Sequence, residues 1–112
     1  MSVRKLVTST LTPTGVPVRF MFYDGKPEDT YITFFSYSET ASLNSDDEEA
    51  MTGTYIQVDL WTKSPEDYGR LEPEIKERMK AAGFTRRSQF DQYEQETGIY
   101  HKVARFYISI KN

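Results

Sequence analysis

The chain has 112 residues, enough for one domain spanning residues 1–112 around a single hydrophobic core. Its formal net charge of −3 argues against a main affinity for nucleic-acid backbones, which needs clustered Lys and Arg. The absence of cysteine excludes disulfides, iron–sulfur clusters and thiol nucleophiles. No stretch approaches the roughly 20 apolar residues of a membrane span, and the N-terminus lacks a signal-peptide core, so we expect a cytoplasmic protein that does not contact membranes.

The N-terminal third predicts one helix and two strands. Apolar residues recur at near-helical spacing from Val3 to Leu11, which predicts a short helix ending before Pro13. Val16 to Tyr23 is apolar and aromatic and predicts a strand. Tyr31 to Tyr37 carries aromatic residues on both faces, so we expect a strand that is central or covered on both sides.

A polar, acidic segment from Glu39 to Gly53 predicts a long loop. Four successive acids lie at its centre: Asp46, Asp47, Glu48 and Glu49. They lack the alternate-position ligands and the mid-loop glycine of a calcium loop, which favours a solvated acidic loop over a metal site.

The middle of the chain predicts a strand and then a helix. In the strand from Thr54 to Trp61, Ile56, Val58 and Leu60 share one face, and Trp61 on the other is either core beneath a helix or an interface anchor. We favour the core.

The helix should begin at the capping residue Ser64 and end at Gly83. Pro73 within it removes a backbone donor, so it should kink the helix or divide it in two.

The C-terminal third predicts a long antiparallel hairpin, with arms from Phe84 to Tyr93 and from Ile99 to Ile110. Arms of about 30 Å would either bend around the core or project from it. The order of elements predicts an α+β domain with a mainly antiparallel sheet, a long C-terminal hairpin and helices packed on one face.

Little in the sequence points to catalysis. His101 is the only histidine, and no orienting acid or nucleophile stands beside it, so packing or a hydrogen bond on the hairpin is the favoured role. There is no phosphate-binding glycine loop, zinc ligand set or serine-triad signature. We therefore predict no enzyme activity, no catalytic residue, no metal and no cofactor.

The hairpin is locally basic, through Arg86, Arg87, Lys102 and Arg105. These residues form either a solvated edge that resists strand addition or a docking surface for an acidic partner, and the charge pattern allows both. We take them, together with the acids from Asp46 to Glu49, as the candidate interface residues.

Several strings, in this order, resemble the tail completion (tail terminator) proteins of siphophages and prophages, whose fold is similar to that of the lambda tail terminator. They are Val16-Pro17-Val18, Tyr31-Ile32-Thr33-Phe34, Ile56-Gln57-Val58-Asp59-Leu60-Trp61, Ala82-Gly83-Phe84, Thr97-Gly98-Ile99-Tyr100-His101-Lys102 and Arg105-Phe106. Pro73 departs from the family pattern. The resemblance implies a ring, commonly a hexamer, that caps the tail tube and has no active site.

The expected function is therefore that of a phage structural protein that ends tail-tube polymerisation and helps to join tail to head. Its expected partners are further copies of itself, the tail-tube protein and the head connector, with DNA passing only through the lumen. The isolated protein can be monomeric. Its place is the host cytoplasm during assembly and then the virion tail or neck. The alternatives are a head completion or neck protein, or a small non-catalytic adaptor that binds by strand addition or helix docking.

Overall fold

The fold is α+β, with two helices and a five-stranded sheet. The computed structural model describes residues 2–45 and 48–112. The strands lie in the order β1-β2-β3-β5-β4, and every pair is antiparallel except β1 with β2. The mainly antiparallel sheet and the C-terminal hairpin are thus confirmed. The elements are α1 (Val3–Leu11), a 3-10 turn (Thr12–Thr14), β1 (Val18–Phe20), β2 (Tyr31–Ser45), β3 (Glu48–Thr62), α2 (Pro65–Ala81), β4 (Thr85–Glu94) and β5 (Ile99–Lys111).

Both helices pack on one face of the sheet, as predicted. Helix α1 buries Val7 and Leu11, and α2 buries a stripe at helical spacing, Leu71, Ile75 and Met79. The sheet meets them with alternate residues, since successive side chains of a strand point to opposite faces. The sheet side of this core comprises Val18, Ile32, Phe34, Ile56, Val58, Leu60, Ala104, Phe106 and Ile108.

Helix α2 has the predicted ends but not the predicted break. The Ser64 hydroxyl accepts a hydrogen bond from the Asp67 amide at 3.1 Å, and Gly83 ends the helix with a φ of +102°. Of the two effects expected of Pro73, division of the helix is wrong, because α2 is one continuous element, and a kink stays a prediction. Pro73 has no amide hydrogen, so the Gly69 carbonyl four residues earlier loses its partner in the helix. Both residues are exposed, so water can satisfy that carbonyl.

The expected acidic loop is wrong, because strands β2 and β3 run on through most of it. Glu39 pairs with Thr54, and the ladder continues to Ser45 opposite Glu48; Asp46 and Asp47 lie outside the described residues. The segment lacks an alternating apolar pattern because it extends past the core, where no face needs to be apolar. We call residues 39–45 and 48–53 the β2–β3 arm.

The long strands β2 and β3, with β5 paired to β3 as far as Met51, make the molecule long. The principal extents are 53 × 25 × 24 Å, and the radius of gyration is 15.1 Å against about 13 Å for a compact chain of this size. Strands of 15 residues reach roughly 50 Å at 3.3 Å per residue. Strand β5 lies within the sheet, between β3 and β4.

Strand β1 is shorter than the predicted Val16 to Tyr23. The Met21 amide still donates to the Phe34 carbonyl at 2.8 Å, but Met21 has a φ of +75°, and the Phe22 amide turns back to the Phe20 carbonyl. This left-handed backbone is uncommon for a residue with a side chain, and it ends the strand. It leaves Met21 and Phe22 on the surface, 59% and 70% exposed.

Two glycines allow a matched test of this backbone. In Gly69→Ala the new methyl meets open space inside α2, so we expect stabilisation by about 0.5–1 kcal/mol from helix propensity. In Gly83→Ala the positive φ strains an L-residue, so we expect destabilisation by about 1–2 kcal/mol. Urea unfolding measures the change in unfolding free energy of both variants. A change of the same sign in the two would contradict the backbone conformations described for Gly69 and Gly83.

Candidate functional site

The helices cover one face of the sheet and leave the other open. The open side carries the stacked rings, the buried polar pair and the arginine–aromatic contacts described below. We call it the open face. Its side chains alternate with the core residues along each strand. It comprises Tyr31, Thr33 and Phe35 on β2, Tyr55, Gln57, Asp59 and Trp61 on β3, His101, Val103, Arg105 and Tyr107 on β5, and Phe90 on β4.

A row of stacked rings covers one end of the open face. Tyr23 lies on Tyr31 with centroids 4.1 Å apart, and Tyr31 neighbours Trp61 at 6.1 Å. Trp61 in turn stacks on His101 at 3.7 Å. The interpretation of Trp61 as core beneath a helix is wrong, since it is half-buried on the face opposite the helices. The rings shield one another, so this face is closed by its own side chains.

The last ring of this row, His101, belongs to a buried acid–histidine pair. The His101 Nε2 and Asp59 Oδ1 atoms are 2.7 Å apart, and the two residues are 9% and 3% exposed. Gln57 donates to both Asp59 oxygens, and the Trp61 indole donates to the Thr33 hydroxyl at 3.0 Å. The predicted role of His101 in packing and hydrogen bonding is confirmed. The partner 42 residues earlier was missed, because only the strand register brings it near.

Neighbouring side chains enclose the acid–histidine pair. In the part of the chain that the structure describes, no serine or threonine hydroxyl hydrogen-bonds to His101. Trp61 covers one face of the imidazole. An acid–histidine pair activates a nucleophile only when one lies within hydrogen-bond reach and substrate can enter. The side chains of Gln57, Asp59 and His101 are hydrogen-bonded to one another, and the Trp61 ring covers His101.

The other end of the open face is a patch of arginine and aromatic residues. The Arg105 guanidinium lies 5.6 Å from the ring centroids of both Tyr37 and Phe90, and its Nε donates to the side-chain amide oxygen Oε1 of Gln57. Tyr37 and Phe90 are 43% and 39% exposed. Arginine and aromatic residues are enriched in protein interfaces. We call this the Arg–Tyr patch, comprising Tyr37, Tyr55, Arg87, Phe90, Arg105 and Tyr107.

The basic candidate residues do not form one cluster. Arg86 and Arg87 are exposed on the outer strand β4, and the Arg87 guanidinium lies 5.7 Å from the Tyr55 ring. Arg105 is half-buried in the Arg–Tyr patch. The expected exposure of Lys102 is wrong: it is 9% exposed, on the helix side of the sheet. Its alternation with Ala104 and Phe106 was the signal that could have placed it there.

Two of the acidic candidate residues, Glu48 and Glu49, begin β3, and their backbones pair with Ser45 and Asn44. The other two acids of the run, Asp46 and Asp47, fall outside the described residues. Glu48 and Glu49 are separated along β3 from Tyr55 of the Arg–Tyr patch.

Residues 2–45 and 48–112 contain neither a cluster of metal-ligating side chains nor a membrane-spanning helix. No group of three or more His, Cys, Asp or Glu residues there could hold a metal ion. Nor is any helix in these ranges long and apolar enough to cross a membrane.

Comparison with known proteins gives a structural match. No protein-family model matches the chain, and no curated protein matches its sequence. Among solved structures, the fold is similar to that of a chain from the virion of a native gene transfer agent particle, with a TM-score of 0.58. The match covers 99% of this chain and 92% of the other at 11% sequence identity. At this identity it shows a shared fold.

A double-mutant cycle tests the buried pair. Asp59→Ala leaves the buried His101 Nε2 without its partner, and His101→Ala leaves the buried Asp59 carboxylate with Gln57 alone. We therefore expect each to cost about 1–3 kcal/mol of unfolding free energy. The double variant should cost less than their sum by about 1 kcal/mol or more. Fluorescence of Trp61, the single tryptophan, reports the urea transition.

Asp59→Ala combined with Met79→Ala is the control, since Met79 lies in the core on the other face. This pair should be additive within about 0.5 kcal/mol. Equal additivity for Asp59 and His101 would contradict a structural role for their contact.

Proposed function

We propose that the chain is a structural protein of a virion tail, which caps the tail tube as a ring, ends tube polymerisation and helps to join tail to head. The observation that carries this proposal is the similarity of fold, over nearly the whole chain, to a virion protein. The sequence strings that resemble tail completion proteins support it separately, because their resemblance lies in the amino-acid sequence and not in the fold.

The exposed surfaces suit repeated association. Strand β4 forms one edge of the sheet, nine of its ten residues are exposed, and the Arg–Tyr patch lies beside it. The other edge ends at the short β1, next to the exposed Met21 and Phe22. When one surface of a subunit binds a different surface of the next, repeated copies form a ring if the rotation between neighbours closes after a whole number of subunits. A hexamer is the ring size that the family resemblance implies.

The function requires no active site in this chain. The buried Asp59–His101 pair stabilises the open face, and the polar groups around it are hydrogen-bonded to one another. We infer a non-catalytic protein whose partners are further copies of itself, the tail tube and the head connector. DNA would pass through the lumen, and acids along that lumen would keep phosphates from adhering.

The decisive experiment is complementation of a phage that lacks this gene, with electron microscopy of its tails. We expect overlong or headless tails without the gene and tails of uniform length joined to heads with it. Binding of the purified protein to isolated tail tubes and to isolated connectors separates the alternatives. Binding to connectors alone would favour a head completion or neck protein, and a stable monomer that binds neither would favour an adaptor.

Arg87→Glu tests the Arg–Tyr patch. Arg87 is exposed, so its reversal should change unfolding free energy by no more than about 0.5 kcal/mol. In an interface, like charges brought face to face cost several kcal/mol, roughly, so we expect loss of ring assembly or of head joining. Lys80→Glu, an exposed reversal on α2, should assemble normally. Normal tails joined to heads by folded Arg87→Glu protein would contradict the role of the patch.

The acidic run predicts how assembly depends on salt. In a ring the repeated acids repel one another, and this repulsion is screened at about 0.1 M salt and above. We expect the oligomer fraction, measured by light scattering, to rise with ionic strength. Neutralising the run with Asp46→Asn, Asp47→Asn, Glu48→Gln and Glu49→Gln should raise it at low salt. An oligomer fraction that falls with salt in the unmodified protein would contradict this.

A further inference from the structure

A second surface feature lies on the helix side of the sheet, beyond the start of α2. It is a cleft of about 320 Å³ lined by Pro65, Tyr68, Asp91, Gln92, Tyr93 and Tyr100. We call it the tyrosine cleft. It lies apart from the Arg–Tyr patch, because Asp91 and Tyr93 alternate along β4 with Phe90 of the open face.

Three tyrosine rings from three elements meet in this cleft. Tyr100 on β5 lies 5.7 Å from Tyr68 on α2 and 4.9 Å from Tyr93 on β4, with ring planes inclined by 49° and 51°. All three rings line the cleft. Tyr93 is 53% exposed, so its ring remains available to a ligand.

The charge of the cleft is negative. The Asp91 carboxylate accepts hydrogen bonds from the Tyr68 hydroxyl and, at 2.9 Å, from Lys102 Nζ. These two bonds hold the pKa of Asp91 below its usual range, so it is ionised at neutral pH. Lys102 also faces Glu72 at 3.5 Å. Glu72 and Lys102 line a neighbouring hollow, so Asp91 is the one charged residue among those that line the cleft.

We propose that the tyrosine cleft binds the side chain of an arginine or lysine residue on a partner protein. Aromatic rings attract a cation through the negative charge of their faces, and a nearby carboxylate adds to this attraction. The volume accommodates one long side chain, and the negative charge disfavours phosphates and acidic peptides. The proposal goes beyond the ring function and stands whether or not a ring forms.

The test uses small probes and the full chain. Nα-acetyl-arginine methylamide and Nα-acetyl-lysine methylamide are titrated against protein with ¹³C-labelled tyrosine rings. The neutral analogues of citrulline and norleucine serve as controls. We expect the ring signals of Tyr68, Tyr93 and Tyr100 to shift with the cationic probes, and the neutral probes to bind about three- to tenfold more weakly.

Matched variants locate the binding. Tyr93→Leu removes an exposed ring and should weaken binding of the arginine probe about three- to tenfold, whereas Tyr93→Phe keeps the ring and should bind normally. Phe90→Leu removes a partly exposed ring of the same strand on the open face and should have no effect. The unfolding transition of each variant confirms that it is folded.

Three outcomes would overturn the proposal. The first is an absence of tyrosine shifts with either cationic probe at concentrations up to solubility. The second is equal binding of cationic and neutral probes, or stronger binding of a proline-rich peptide, since the cleft would then be an apolar groove. The third is an equal loss of binding in Phe90→Leu and Tyr93→Leu.

Discussion

The sheet must be shielded from water on both faces, although the helices pack on only one of them. On the helix side, periodic apolar residues of α1 and α2 meet alternate residues of four strands. On the open face, rings shield rings, and this cover allows Asp59 and His101 to be buried as a mutually satisfied pair. A buried polar group without a partner is costly, so the hydrogen bonds and the aromatic cover depend on each other.

This division of the sheet separates stability from association. The end of the open face near Trp61 is closed by its own side chains, whereas the Arg–Tyr patch keeps Tyr37 and Phe90 partly exposed around Arg105. Exposed aromatic rings beside arginine are suited to protein contacts. The proposed assembly function therefore rests on surfaces next to the core, and no part of the core needs to rearrange for contact.

The sequence predicts what periodicity and capping control. The Ser64 cap, the stripe from Leu71 to Met79 and the alternation of Ile56, Val58 and Leu60 placed α2 and β3 correctly, because burial selects these patterns. The β2–β3 arm was missed because strands outside a core carry no apolar alternation. The contact of Asp59 with His101 on the open face and that of Asp91 with Lys102 on the helix side depend on strand register, which local sequence does not specify.

The length of the β2–β3 arm has a mechanical consequence. Strand β5 pairs with β3 only as far as Met51, opposite Lys111, and beyond that point the arm is a two-stranded ribbon. The described part of this ribbon comprises residues 44–45 paired with residues 48–49. A two-stranded ribbon is marginally stable alone, so we expect its paired backbone amides to exchange with solvent at a lower opening free energy than those of the three-stranded part of the sheet. The body of the sheet therefore does not depend on the pairing at this end of the arm.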